Sequence, residues 1–224
     1  MAATTQADGA ATSLVIFDCD GVLVDSEPVA RAVLREQAAR IGWAIDPFRF
    51  TGHRLGALPP VHLEETGRPL PEGWLRGVEA ALLDSMAGEV PLVPGAVEAL
   101  AAVQAMGLGV RVASNSSHGE MERKFSGTAL AELARAGRQH SAGDVGRGKP
   151  APDLFLAAAA AEGVSPDQTL VVEDSVPGAT AAKAAGMRCL AYAPEHDGAA
   201  LAALGATVFS DMADLPGLVR RMVE

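Results

Sequence analysis

The chain has 224 residues, of which 49% are hydrophobic, and its formal net charge is −10 at pH 7. This length and hydrophobic content suffice for one large domain, or for a medium domain with a small addition, around a substantial core. The negative charge argues against a nucleic-acid partner, which normally needs a basic face, although a local cation could still attract a small anionic ligand.

The N-terminal segment 1–13 has neither a basic start nor an apolar stretch, which predicts a flexible tail and not a signal peptide. Cys19 and Cys189 are the two cysteines, and their spacing indicates neither a metal site nor a disulfide framework. This usage fits a reducing compartment. Because no apolar run is long enough to span a membrane, we expect a cytoplasmic protein without a membrane partner.

The first predicted element is a buried strand, LVIF (14–17), that runs directly into Asp18 and Asp20. Side chains two residues apart in an extended chain project to the same side, so both carboxylates face one spot while Cys19 points away. Two converging carboxylates are costly unless a cation joins them or one is protonated. Mg²⁺ prefers such oxygen ligands. The alternatives are an acidic helix cap or a solvated loop; the spacing of a calcium-binding EF-hand is not met.

The segment 28–90 contains no convincing strand. Its stretches 28–42 and 72–88 have helical patterns. An insert at the carboxyl end of the first strand of an open parallel sheet would lie over the ligand crevice. We therefore predict a helical cap over 28–90, with the core formed by 14–27 and 91–224.

The remainder of the chain alternates between short apolar runs and helical segments. Three further runs predict buried strands, and a fourth predicts an edge strand: GVRVAS (109–114), TLVVED (169–174), CLAYA (189–193) and TVFS (207–210). The segments that begin with Pro and end with Gly, as helices do, are 94–107, 152–163 and 177–186. This alternation predicts an α/β fold with a doubly wound, Rossmann-like parallel sheet.

Polar side chains that could bind phosphate or a metal ion lie at or near the ends of these predicted strands. Ser114 and Asn115 end the second strand and could bind phosphate oxygens. Lys149 lies in a turn that opens a helix and could act as a point charge on a phosphoryl group. Glu173 and Asp174 end another buried run, where acids can complete a metal site. Each group alone is a weak signal, but parallel strands end at one edge, so together they predict a single site.

The stretches DCDGVLVDSEP, SNS, GKPAPD and VEDSVPG, in this order, resemble the four motifs of the haloacid dehalogenase superfamily. The helical insert after the first motif resembles the capped subgroup of that superfamily. The resemblance runs from residue 14 to about residue 211 and is greatest to sugar-phosphate phosphatases and β-phosphoglucomutase-like proteins.

The resemblance implies a catalytic role for several residues. Asp18 would be the nucleophile that forms an aspartyl-phosphate. Asp20 would be the general acid for the leaving alcohol and then the base for the attacking water. Ser114 and the backbone of Asn115 would bind the transferring phosphoryl group, while Lys149 would neutralise its charge and orient the nucleophile.

The resemblance also implies a Mg²⁺ cofactor and a substrate-contacting loop in the cap. The implied metal ligands are Asp18, Asp174, the backbone carbonyl of Asp20, and Glu173 either directly or through water. His53 and Arg54 fall at the substrate-contacting loop and could contact the non-reacting part of the substrate. A solvated turn between helices is the alternative for these two residues.

These features imply a Mg²⁺-dependent phosphatase for a small sugar or sugar-acid phosphate. A monomer would suffice, since the cap can close the site by itself. A β-phosphoglucomutase-type hexose-phosphate mutase is the alternative, but Ala30 stands where the mutase has a cap histidine. Dehalogenases lack the second aspartate and the magnesium, and phosphonatases use a cap lysine that the segment 28–90 lacks. A receiver-like phospho-accepting signalling module would have no cap.

Overall fold

The computed structural model describes residues 11–50, 55–85, 90–135, 137–194 and 198–223. The strands are β1 (Leu14–Phe17), β2 (Gly109–Ser114), β3 (Gln139–Ser141), β4 (Thr169–Glu173), β5 (Arg188–Tyr192) and β6 (Thr207–Phe209). The helices are α1 (Glu27–Arg40), α2 (Leu58–Thr66), α3 (Trp74–Ser85), α4 (Ala96–Ala105), α5 (His118–Phe125), α6 (Ala131–Arg135), α7 (Asp153–Glu162), α8 (Val176–Ala184), α9 (Ala199–Ala203) and α10 (Leu215–Val223). None of the described helices has the length and apolar character needed to cross a membrane.

The strands form one parallel sheet in the order β3-β2-β1-β4-β5-β6. This order confirms the predicted doubly wound, Rossmann-like α/β fold. After β1, the chain adds β2 and β3 on one side of β1 and then β4, β5 and β6 on the other side. The strand order therefore reverses between β1 and β4, and in open sheets of this kind a ligand crevice lies outside the carboxyl ends of the strands at that point.

Both faces of the sheet are covered, which explains why the strand sequences do not alternate between apolar and polar residues. In β1, Val15 and Phe17 belong to a core with α4, α5 and α10. Leu14 and Ile16 of the same strand belong to a second core with α7, α8 and α9. The short side chains of the alanine-rich α8 allow it to lie close to the sheet.

One strand of the sheet was not predicted. The predicted edge strand TVFS corresponds to β6 at one edge, but β3 forms the other edge and has the sequence QHS. All three of its residues are polar. Gln139 and His140 are partly exposed, and Ser141 is buried. An edge strand needs apolar residues on fewer positions than a central one, so neither its length nor its composition stands out from a loop.

The core begins earlier than the predicted boundary at Leu14. The Thr12 hydroxyl is buried and donates a hydrogen bond to the Met222 carbonyl at 2.8 Å. The Ser13 N–H donates to the Gln168 carbonyl at 2.9 Å. Thr12 and Ser13 are thus attached to the sheet and the last helix, and any flexible tail ends before them.

The insert has an apolar core of its own. Its buried members come from α1, α2, α3 and the loops between them: Leu34, Ala38, Trp43, Leu58, Trp74 and Val78. The Trp43 and Trp74 rings lie 6.0 Å apart, and the Trp74 indole N–H donates to the Gln37 carbonyl at 3.1 Å. The described residues of this segment contain helices and no strand of the sheet, as the sequence indicates.

The chain leaves the core for the insert and returns from it at one place. The Asp25 N–H donates to the Pro91 carbonyl at 2.8 Å, and the Val93 N–H donates to the Leu23 carbonyl at 3.1 Å. The outgoing and returning segments are therefore paired in antiparallel fashion directly beside the end of β1.

Two neighbouring leucines of α7 test the burial of this core. Leu154 is fully buried against the sheet, whereas the side chain of Leu156 is 38% exposed. We expect Leu154→Ala to lower the free energy of unfolding by about 2–5 kcal/mol and Leu156→Ala by less than about 1 kcal/mol. Urea denaturation of both variants would measure this. Equal losses would contradict the packing of α7 described above.

Candidate active site

The acidic stretch after β1 lies where the strand order reverses. Asp18 continues the line of β1, and its N–H donates to the Val172 carbonyl of β4 at 2.9 Å. Asp20 follows two residues later and lines the same cavity as Asp18, while Cys19 is buried in the core. The turn then depends on Gly21, which has a positive φ of 77°. The predicted division, with two acids towards the crevice and the cysteine away from it, is present.

Lys149 lies between two buried carboxylates. Its Nζ is 2.8 Å from Asp18 Oδ1 and 2.6 Å from Glu173 Oε1. Burial disfavours the ammonium, but the two carboxylates outweigh burial and hold the pKa of Lys149 above its ordinary value. The lysine is therefore charged and points at the Asp18 carboxylate, as the role predicted for it requires.

The backbone of Lys149 is held by the side chain of Asn115. The Asn115 Oδ1 accepts from the Lys149 N–H at 2.9 Å, and its Nδ2 donates to the Lys149 carbonyl at 3.3 Å. A side chain at Gly148 would meet Asn115 Oδ1 at 2.4 Å, so glycine is needed for this approach. The Lys149 ammonium also lies 4.8 Å from the centre of the Phe155 ring. The asparagine side chain thus positions a lysine, a role that the sequence did not indicate.

Glu173 is fully buried and uses both of its oxygens within the protein. Oε1 accepts from Lys149, while Oε2 accepts from the N–H groups of Asp174 and Ser175 and from the Ser175 hydroxyl, each at 2.9 Å. Burial raises the pKa of Glu173, but the lysine and these hydrogen bonds bring it below its ordinary value. A Cβ at Gly178 would lie 1.8 Å from Glu173 Oε1. Glycine there makes room for this ionised carboxylate.

Asp18, Glu173 and Asp174 bring carboxylate oxygens within 4.8 Å of one another. Burial raises the pKa of Asp18 to about 8, with Lys149 opposing the shift and Glu173 and Asp20 adding to it. Burial, with the charges of Glu173 and Asp18, also raises the pKa of Asp174 well above its ordinary value. A divalent cation would relieve this repulsion, and hard oxygen donors suit Mg²⁺. The acids at the ends of β1 and β4 therefore fit a magnesium ion.

Asp20 is bound by four donors. The Lys124 Nζ lies 2.6 Å from Asp20 Oδ1, and the Ser26 hydroxyl donates to the same oxygen. Oδ2 accepts from the hydroxyls of Ser116 at 3.0 Å and Ser114 at 3.4 Å. Burial opposes ionisation, but Lys124 and the hydroxyls hold the pKa of Asp20 below its ordinary value. Ser114, predicted to bind phosphate, thus also contacts the second aspartate.

Sequence reasoning missed three of these donors: Ser26, Ser116 and Lys124. The lysine could have been found from its position on α5. Met121 and Phe125, three residues before it and one after it, are fully buried, so Lys124 lies on the same buried face of the helix. A lysine on the apolar face of a helix needs an acidic partner, and Asp20 is that partner here.

These groups open into a cavity of about 650 Å³ between the core and the insert. Asp18, Asp20, Ser114, Asn115 and Lys149 all line it, so the structure brings together the predicted catalytic and phosphate-binding residues. From the insert, the lining includes apolar side chains and a charged one, among them Ala30, Leu34, Phe50 and Arg31, and Glu27 adds an acid from the residue that precedes the insert. His53 and Arg54, the predicted substrate-contacting pair, lie outside the described residues.

Comparison with known proteins finds relatives over most of the chain. A family model for haloacid dehalogenase-like hydrolases matches residues 12–186. The validoxylamine A 7'-phosphate phosphatase of Streptomyces hygroscopicus subsp. limoneus is 32% identical over 193 residues, which cover 84% of this chain and 89% of that protein. The 6-phosphogluconate phosphatase of Escherichia coli (strain K12) is 29% identical over 212 residues, covering 91% and 93% of the two chains.

Solved structures agree with the family match. A HAD family hydrolase from Deinococcus radiodurans R1, crystallised with bound phosphate and sodium, is 33% identical with a TM-score of 0.77, covering 95% of this chain and 97% of that one.

Some relatives are longer. The chain spans 48% of the bifunctional riboflavin kinase/FMN phosphatase of Arabidopsis thaliana, at 30% identity over 186 residues. The family match includes every strand end that contributes to the candidate site.

Replacing Lys149 tests the electrostatics of the site without any assay of activity. Lys149→Met leaves the buried Glu173 without its cation, so we expect the free energy of unfolding to fall by about 3–5 kcal/mol. Lys183→Met removes an exposed lysine from α8 and serves as the matched control, with an expected change within about 0.5 kcal/mol. Urea denaturation at neutral pH measures both. A Lys149→Met variant as stable as its control would contradict the buried ion pair.

Proposed function

Because the chain belongs to the haloacid dehalogenase-like hydrolases, we propose that it is a Mg²⁺-dependent phosphatase acting on small sugar or sugar-acid phosphates through an aspartyl-phosphate on Asp18. One observation carries the proposal. Asp18 and Asp20 line the same cavity two residues apart, and each carboxylate is paired with a separate buried lysine. Two carboxylates that are held independently can take different parts in one reaction.

Asp18 is suited to attack a phosphoryl group. Its carboxylate lies at the carboxyl end of β1, where a phosphate in the cavity can approach it, and Lys149 lies on its Oδ1. Attack on phosphorus would form the bond between Asp18 and phosphorus as the bond to the leaving alcohol breaks. The lysine ammonium would offset charge on the phosphoryl oxygens during transfer. Ser114 and Asn115 line the same cavity, where the Ser114 hydroxyl and the Asn115 backbone would orient those oxygens.

Asp20 is suited to move protons in both halves of the reaction. In the first half its protonated form, which Lys124 and the hydroxyls disfavour, would give a proton to the departing alcohol oxygen. In the second half it would take a proton from the water that attacks the aspartyl-phosphate, which regenerates Asp18 and releases inorganic phosphate. The side chain is held two residues from the nucleophile on the same side of the chain, as these transfers require.

Asp18 and Asp174 would hold the Mg²⁺, together with the backbone carbonyl of Asp20. Glu173 is occupied by Lys149 and three hydrogen bonds, which favours a contact through water. When bound, the ion supplies positive charge beside the nucleophile and the transferring phosphoryl group.

The substrate class and the cap are parts of the same proposal. Two similar proteins are named as phosphatases of a sugar acid phosphate and of validoxylamine A 7'-phosphate, which supports a small, polar phosphomonoester. We propose that residues 28–90 form the cap over a core of 14–27 and 91–224, and that His53 and Arg54 contact the substrate. We further propose a cytoplasmic monomer that needs neither nucleic acid nor a membrane.

Release of inorganic phosphate tests the proposal. The wild type should release phosphate from some members of a panel of sugar and sugar-acid phosphates, and only when Mg²⁺ is present. Asp18→Asn should lower kcat by about a thousandfold or more, since it removes the nucleophile. No Mg²⁺-dependent turnover in the wild type would overturn the phosphatase assignment.

Two further measurements on the wild type distinguish the two alternatives. Conversion of β-glucose 1-phosphate to the 6-phosphate, primed by a bisphosphate, would favour a mutase. Ala30 lines the cavity at the place of the mutase histidine and argues against this outcome. A long-lived phosphorylated Asp18 without turnover would favour a signalling module.

A glycine pair tests the metal site. Gly21 and Gly163 both have positive φ, 77° and 67°, so alanine at either position is strained. A Cβ at Gly21 would lie 2.0 Å from Asp174 Oδ2, whereas a Cβ at Gly163 meets no atom within 4 Å. Each alanine variant should lose roughly 1–2 kcal/mol of unfolding free energy. Only Gly21→Ala should raise the Mg²⁺ concentration for half-maximal phosphate release, by about tenfold or more. An equal Mg²⁺ requirement in both variants would contradict the role of Asp174.

A further inference from the structure

Lys124 is a buried lysine at the site to which the proposed reaction gives no step of its own. Only 4% of its surface is exposed, although it lies on α5 between the exposed Arg123 and the buried Phe125. Its Nζ lies 2.6 Å from Asp20 Oδ1 and 3.1 Å from the Ser116 hydroxyl oxygen. Burying an ammonium is costly, so its presence here needs a reason beyond packing.

Attachment of α5 to the core does not supply that reason. The helix starts with a reciprocal capping box, in which the Ser117 hydroxyl accepts from the Glu120 N–H and the Glu120 carboxylate accepts from the Ser117 N–H. Met121 and Phe125 then bury apolar side chains in the larger core. A methionine at position 124 would extend this apolar face at a lower desolvation cost than a lysine. The charge and the hydrogen-bond donors of Lys124 are therefore what distinguish it from an apolar residue.

Those donors act on the orientation of the Asp20 carboxylate. Lys124 donates to Oδ1, and Ser116, which itself accepts from Lys124, donates to Oδ2. Contacts to both oxygens fix the plane of the carboxylate and not merely its position. The lysine and the serine also contact each other, so the three side chains form a closed set of hydrogen bonds. Both partners come from the region after β2, outside the acidic stretch itself.

We propose that Lys124 is a positioning residue that holds the Asp20 carboxylate in the orientation needed to exchange a proton with the leaving oxygen of the substrate. The inference rests on the proposed phosphatase function. It divides the buried lysines of the site between the two aspartates. Lys149 serves the nucleophile Asp18, and Lys124 serves the proton-transfer group Asp20.

The proposal predicts a dependence on the leaving group. The leaving group of an alkyl phosphate such as glycerol 2-phosphate is a strongly basic alkoxide, which needs a proton from Asp20. The leaving phenolate of p-nitrophenyl phosphate is weakly basic and needs none. Because kcat/KM extends only to the first irreversible step, it reports this half of the reaction without hydrolysis of the aspartyl-phosphate.

We therefore expect Lys124→Met to lower kcat/KM for glycerol 2-phosphate by about tenfold or more and for p-nitrophenyl phosphate by less than about threefold. Lys124→Arg keeps a charged donor and should recover most of the loss with the alkyl phosphate. Lys183→Met, which removes the exposed lysine of α8, should change neither value. Circular dichroism and thermal melts establish that each variant is folded.

A second variant covers the case in which Lys124→Met does not fold. Ser116 is only partly buried, and Ser116→Ala removes one donor to Asp20 while leaving the lysine in place. It should produce the same selective loss with the alkyl phosphate, at about threefold. Equal losses with both substrates, in an active enzyme, would overturn the positioning role alone. A wild type that is inactive on both substrates and on the sugar-phosphate panel would overturn the proposed function and, with it, this inference.

Discussion

The candidate site depends on one buried ammonium, that of Lys149, which lies between Asp18 and Glu173. The acidic side chains at the ends of β1 and β4 lie side by side. Without a cation, their mutual repulsion would oppose folding. The surroundings serve to keep the lysine there: Asn115 binds its backbone on both sides, and Gly148 allows that approach. Parts of the chain that are far apart in sequence are thus joined by one charge, which makes the integrity of the site inseparable from the stability of the core.

The sheet explains why the charges meet at that point. Each of β1 and β4 is buried on both faces, so polar side chains can emerge only where the strands end. Since the strand order reverses between them, a crevice lies outside their carboxyl ends. Asp18 lines this space, and the insert that follows β1 forms its opposite wall. Asp174 lies beside Asp18 at the end of β4. The location of the chemistry follows from the topology, and only its details depend on individual side chains.

The sequence predicted what long or uniform patterns encode. The apolar runs predicted the central strands. The acids, hydroxyls and lysine near their ends predicted one shared site, because parallel strands end at one edge. What it missed depends on tertiary partners. The edge strand β3 is too short and polar to differ from a loop. Lys124 resembles a surface lysine until the burial of Met121 and Phe125 is known, and the side chain of Asn115 resembles a helix cap until Lys149 is placed beside it. In each case the missing information is a contact between distant segments.

The antiparallel pairing of the segments around Asp25 and Pro91 has an evolutionary consequence. Because the insert departs and returns at adjacent backbone positions, the sheet meets the same two anchored ends whatever lies between them. The core already holds the two ends of the insert together. The inserted helices can therefore be lengthened, shortened or exchanged without disturbing the strands. Selection could thus vary the cavity wall that the insert forms while the residues proposed to bind phosphate stay fixed. A graft of a foreign insert between these two points is accordingly the natural unit for redesigning specificity in this protein.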